Sequence, residues 1–290
     1  MKSRFIWFAA VISFLGSNEA TASPSTSWNS AITASSPLNW YRLDELSGHT
    51  AVDTGIEHHN GTYGLGALDA VRGVPGLVGT AVQFGDQSTV FVSAPELTGD
   101  WTAEFVLKRI GSKRSSVLIR GVPLEFPSQA LKLEQFDNTG QVGFTQYFQV
   151  DATFTPPVFS PLDRWIHLVY VNRSGSGLSL YLNGILAGSH PSSINLPRDQ
   201  IGSWSDTVPE SPLAILDEVV LYDRALNSTE VAAHFAAIPE PNSFSMAVGY
   251  LLVVGYGRWL HFCRRHRLWP VSHRRGQPCG LEYCKLSPMN

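Results

Sequence analysis

Cleaving a glycosidic bond requires two carboxyl groups facing one another across it, one as acid and one as nucleophile or base. The acidic residues of this sequence do not offer that spacing. Glu104 stands alone in "WTAEFVLK", and Glu125 and Glu134 fall on different segments with no acid two positions on. Asp217 and Glu218 are adjacent, and adjacent side chains on a strand point to opposite faces, so this pair is not expected to act on one bond. A Gly-x-Ser-x-Gly elbow, a His-Glu-x-x-His helix and a phosphate-binding glycine loop do not occur. His58-His59 falls in a turn without further ligands at zinc spacing and reads as a solvated loop. The sequence points to binding rather than bond cleavage.

Aromatic side chains are what a binding surface would use, because they stack on sugars or anchor protein partners. Trp204 in "IGSWSDTVPE" and the cluster Phe144, Tyr147 and Phe148 are the candidates, with Trp204 and Tyr147 as the expected ligand contacts.

Charge narrows the partners. Residues 23–257 hold 22 acidic and 12 basic side chains, whereas residues 258–290 hold seven basic side chains and only Glu282. An acidic body does not suit the phosphates of nucleic acid. Cys263, Cys279 and Cys284 all lie near the C-terminus, so the body has no disulfide framework and must rely on an apolar core.

The ends carry routing signals. Residues 1–22 begin with Lys2 and Arg4, run through "FIWFAAVISFLG" and close on Ala20-Thr21-Ala22. A basic start, a short apolar stretch and a small-x-small exit read as a secretory signal peptide. Residues 23–35 are rich in Ser and Thr and read as a lead-in with little structure. Between Phe244 and Phe262 the single charged group is Arg258. Nineteen residues at about 1.5 Å each give roughly 28 Å, enough to span a hydrocarbon core. Basic residues follow directly, as they do on the cytoplasmic side of a membrane segment.

The body, residues 36–236, is read as short β-type runs between Gly, Pro, Asn, Asp and Ser. "WIHLVYV" (165–171) is apolar on both faces, as a strand between two layers must be. "LSLYLNG" alternates, and its Asn183-Gly184 is the favoured two-residue hairpin turn. Further runs occur at 79–85, 89–95, 102–110, 115–121, 131–136, 141–150 and 214–223. So many short strands with closely spaced turns predict an all-β, two-sheet antiparallel sandwich. "NSTEVAAHF" (227–235) reads as a short helix begun by Asn227 or Ser228, with Glu230 in its first turn and Leu226, Val231 and Phe235 facing the sheet.

Five segments in order resemble the LamG-like jelly-roll family, which has the concanavalin A-like fold. They are "WYRLDELSGHTAVDTGIEHHNGTY" (40–63), "GLVGTAVQFGDQSTVFVS" (76–93), "WTAEFVLKR" (101–109), "DRWIHLVYVNRSGSGLSLYLNGILAG" (163–188) and "LDEVVLYDRALNSTEVAAHF" (216–235). The resemblance implies a jelly roll whose rim loop is tied by calcium. Asp53 and Asn60 in "DTGIEHHNG", with Asp217 near the N-terminal turn if the family layout holds, are the implied ligands. Residues 239–267 resemble a PEP-CTERM sorting signal, in Pro239-Glu240-Pro241, the apolar run and the basic stop Arg264, Arg265 and Arg267. That likeness implies an exosortase-like partner, removal of the tail including residues 268–290, and display at the cell surface or in the extracellular matrix. The combined expectation is an exported module that binds an extracellular glycan or surface protein without catalysis. The alternatives are a carbohydrate-active enzyme on the same fold and a purely structural surface protein.

Overall fold

Two antiparallel sheets stack face to face in the computed structural model, which describes residues 24–121, 129–203 and 209–239. The signal-peptide reading of residues 1–22 and the apolar span 244–262 lie outside the described residues, as do Glu125, Trp204 and the sorting-motif residues after Pro239. Among the described residues no helix is long and apolar enough to cross a membrane.

The strands run in chain order as β1 (Asn39–Tyr41), β2 (Thr50–Ala51), β3 (Gly61–Tyr63), β4 (Val71–Pro75), β5 (Thr80–Phe84) and β6 (Thr89–Leu97). They continue as β7 (Trp101–Arg109), β8 (Ser116–Arg120), β9 (Gln129–Glu134), β10 (Gly143–Gln146) and β11 (Val150–Thr153). The last five are β12 (Trp165–Arg173), β13 (Gly177–Leu182), β14 (Ile185–His190), β15 (Leu196–Gly202) and β16 (Ala214–Tyr222). Helix α1 (Pro24–Ala34) precedes them and α2 (Ser228–Ala237) follows. The first sheet has the order β14-β13-β12-β7-β16-β5-β4, with β1 also paired to β16. The second has the order β11-β10-β9-β8-β15-β6-β3-β2.

The alternation of each strand sorts its side chains between layers. On β7, Trp101, Ala103, Phe105 and Leu107 enter the core between the sheets. On β12, Ile166, Leu168 and Tyr170 do the same, while Val169 and Val171 face outward into a second apolar layer. That second layer is closed by Trp28 and Ile32 of α1 and Val231 of α2, packed on Val106, Val169, Val171, Val220 and Tyr222. The two-sided apolar pattern of β12 thus has its physical cause in two cores. The Asn183-Gly184 turn forms as its dipeptide requires, with φ of 51° and 77°.

Four expectations change. The Ser/Thr-rich lead-in is not loose but forms α1, because Trp28 and Ile32, four residues apart, fall on one face and are fully buried. The run 141–150 is two strands rather than one, broken at a hairpin where Phe148 takes a φ of 61°. On α2 the inward residues are Val231 and His234, while Phe235 is 39% exposed and lies against Gly184. Finally, Asp217 and Glu218 do not point to opposite faces. The register of β16 against β7 shifts between Leu216 and Glu218, a bulge that adds one residue. Leu216 and Val219 both enter the inter-sheet core, so the two acids between them share the outer face.

Candidate functional site

The outer face of the second sheet carries polar side chains where the first sheet carries valines. Lys132 on β9 and Thr145 on β10 lie on the face opposite Leu131, Leu133 and Phe144, which enter the core. Gly143 pairs with Lys132 across the ladder. A Cβ at Gly143 would stand 2.9 Å from that of Gln135, so the glycine leaves room for the Gln135 side chain to lie over β10.

A cleft of about 680 Å³ opens at this end of the sheet. Its floor includes Lys132, Gln135 and Thr145, and its walls include Phe136, the β10–β11 hairpin with Tyr147 and Phe148, and Pro209-Glu210. Gln135 Nε2 donates to Thr145 Oγ1 at 3.2 Å and to Asp151 Oδ1 at 3.1 Å, and Thr145 Oγ1 donates to the same Asp151 oxygen at 2.6 Å. These bonds fix the amide, yet Gln135 Oε1 is buried with no hydrogen-bond partner. A buried acceptor of this kind is normally satisfied by water or ligand.

Lys132 Nζ donates to Ser115 Oγ at 2.7 Å and to Glu210 Oε1 at 3.2 Å. Burial pulls its ammonium below the usual lysine range, against the opposing pull of Glu210. Tyr147 is half-buried, its phenol pushed up by the same desolvation, and the Arg120 guanidinium lies 5.9 Å from its ring centroid. Phe148 is 88% exposed at the hairpin tip. Lys113 braces the rim through Asp86 at 3.0 Å and the carbonyls of Pro209 and Ser211 at 2.9 and 3.2 Å. The arrangement offers ring faces beside fixed donors and acceptors, the combination that receives a polyol.

Of the aromatic candidates, Tyr147 and Phe148 line the cleft and Phe144 is buried between the sheets. Strand parity could have separated them, because Phe144 and Thr145 must face opposite ways. Glu134 is occupied elsewhere: its carboxylate accepts from Gly140 N, Ser112 Oγ, Lys113 N and Arg109 at 2.7–3.3 Å.

The implied calcium ligands do not converge on shared partners. Asp53 accepts four hydrogen bonds, from Trp40 N, Gly55 N, Asn39 Nδ2 and His59 N, at 2.7–2.8 Å. Asn60 Oδ1 accepts from Asp53 N at 2.9 Å. Asp217 Oδ2 instead accepts from Leu77 N and Val78 N, both at 2.6 Å. Among the described residues no group of three His, Cys, Asp or Glu is placed to hold a metal. Burial raises the Asp217 carboxyl to about 7, and burial with the neighbouring Asp217 charge carries Glu218 well above the carboxylate range.

Sequence reasoning missed the partners of Glu104. His167 Nε2 lies 2.6 Å from Glu104 Oε1 and His234 Nδ1 lies 3.0 Å from Glu104 Oε2, all inside the layer under the helices. Burial alone would raise this carboxyl, but the bonds from both imidazoles prevail and bring it down to about 2. The available signal was an acid in the middle of an apolar strand, which must find partners when buried.

Several known proteins are similar to this chain. Human adhesion G-protein coupled receptor D1 is 27% identical over 221 residues, 70% of this chain and 24% of the receptor. The bovine protein of the same name is 32% identical over 106 residues, 33% of this chain and 10% of that one. The chain thus spans about a quarter or less of these relatives. A solved Trypanosoma rangeli sialidase superposes with a TM-score of 0.53 at 17% identity, covering 73% of this chain and 38% of the sialidase, a likeness of fold alone. Residues 79–232, from the loop before β5 into α2, match the family model described as the concanavalin A-like lectin/glucanases superfamily, of laminin G type. The chain belongs to that superfamily.

Proposed function

We propose that this protein is an exported surface module that binds a glycan, without cleaving it, in the cleft walled by Tyr147. The observation that carries this reading is the placement of the Tyr147 ring in one cleft with the polar side chains of Lys132, Gln135, Thr145 and Asp151. A sugar presents a C–H face to the ring and hydroxyls to the polar groups. The hydrogen bonds that occupy Glu134, and the burial of Asp217 and Glu218, support binding over hydrolysis.

Similarity to an adhesion receptor supports a surface location. The signal-peptide pattern of residues 1–22 and the sorting pattern from Pro239 to Arg267 support export, membrane capture by an exosortase-like enzyme and display at or beyond the cell surface.

Residues 23–238, which contain both sheets and both cores, are the unit to test on a glycan array. Saturable binding with the glycan recovered intact supports the reading. A shortened glycan supports the enzyme alternative, and a blank array rules out the glycan and leaves a protein partner or a structural role.

A further inference from the structure

A second cluster, on the other side of the molecule from the cleft, has chemistry that binding does not use. Ser35, directly after α1, places Oγ 2.8 Å from His234 Nε2. His234 Nδ1 lies 3.0 Å from Glu104 Oε2, and His167 Nε2 lies 2.6 Å from the other oxygen. Glu104 is fully buried and ionised, so it accepts from both rings. The nitrogen facing it therefore carries the proton in each imidazole. In neutral His234 this leaves Nε2 as a bare lone pair aimed at the Ser35 hydroxyl. In His167 the nitrogen turned away from Glu104, Nδ1, is buried without a partner.

The ring of His234 is held in place. It stacks on Tyr222 at 6.2 Å and meets Trp28 edge-on at 6.4 Å. Ser35 is only partly buried and precedes the exposed Ser36, whose φ is 54°. Arg224 donates to the Ser35 carbonyl at 3.0 Å and pairs with Glu230 at 2.8 Å, which holds the backbone that carries the hydroxyl. Nucleophile, base and orienting acid thus occur in sequence, the arrangement by which such sites are recognised regardless of fold.

We infer that Ser35 is an activated nucleophile that takes up small acyl and phosphonyl electrophiles at the junction of α1 and α2. With a fluorophosphonate, the Ser35 Oγ–P bond forms as the P–F bond breaks; the hydroxyl proton passes to His234 Nε2 and fluoride leaves. With an ester, the Oγ–acyl bond forms and the alcohol departs with the proton from His234. Glu104 touches no reactant and is a positioning residue, fixing the tautomer.

The test is fluorophosphonate labelling of the purified full chain, read by intact mass and peptide mapping. One adduct, on Ser35, is expected, and none on Ser35→Ala. Ser36→Ala, the adjacent exposed serine, should label like the parent. Labelling should slow at least a hundredfold in His234→Gln and at least tenfold in Glu104→Gln, each assayed below its own melting temperature. A purely structural contact would leave the wild-type rate no higher than that of Ser35→Ala. That result, an adduct mapped elsewhere, or an unchanged rate in folded His234→Gln would overturn the inference.

Discussion

His234 of α2 and Glu104 of β7, 130 positions apart, meet at 3.0 Å beneath both helices. The contact ties the last helix to the centre of the first sheet, and Trp28 of α1 packs edge-on against His234 and His167. Removing Glu104 leaves two buried imidazole N–H groups without their acceptor, at about 1–3 kcal/mol each. Glu104→Ala is expected to lose that much in urea unfolding.

The pH dependence of this contact has a definite sign. The folded Glu104 carboxyl sits at about 2, below its ordinary 4.5. Its contribution is full above pH 4.5 and is lost as pH falls toward 2. Melting temperatures of Glu104→Gln should lack that acid-side decline.

Asp217 has the opposite sign. Its folded value of about 7 lies above the ordinary 3.8, so the folded state holds a proton that the unfolded chain releases. Its linkage lowers stability as pH rises from about 4 to about 7. Asp217→Asn keeps an acceptor for Leu77 N and Val78 N, and a flatter stability profile over that range is expected.

Much of this frame was legible in the sequence, because strand period and turn chemistry are local. The two-faced apolarity of "WIHLVYV" and the Asn183-Gly184 turn needed only neighbouring residues. Helix α1 was not legible, since two apolar side chains among Ser, Thr and Asn make a helical face only once the first sheet offers Val169 and Tyr222 to cover. The Glu104 cluster joins residues 63 and 130 positions apart, and the bulge at Asp217 reverses a parity argument by one inserted residue. In the cleft, Tyr147 was readable as an aromatic, but its companion Gln135 had no distinguishing sequence context.

Trp28 offers a direct check on α1. Its side chain is fully buried, and large-to-small changes at such sites cost about 3–5 kcal/mol. Trp28→Ala should lower the unfolding midpoint by a corresponding amount, where a loose lead-in would leave it unchanged.

Asp53 organises the loop from Trp40 to His59 through its four accepted bonds. Asp53→Ala leaves several donors unmatched, each worth about 1–3 kcal/mol when buried. A large drop in melting temperature is expected even with chelator present. An equal melting temperature for the variant and the parent in chelator would assign the residue to a metal instead.

The glycan reading is tested most directly by calorimetric titration of wild type and Tyr147→Ala with a glycan chosen from the array. A loss of affinity of at least tenfold, with melting temperature unchanged, is the predicted result. Equal affinity in the two proteins would place the ligand outside this cleft and contradict the account.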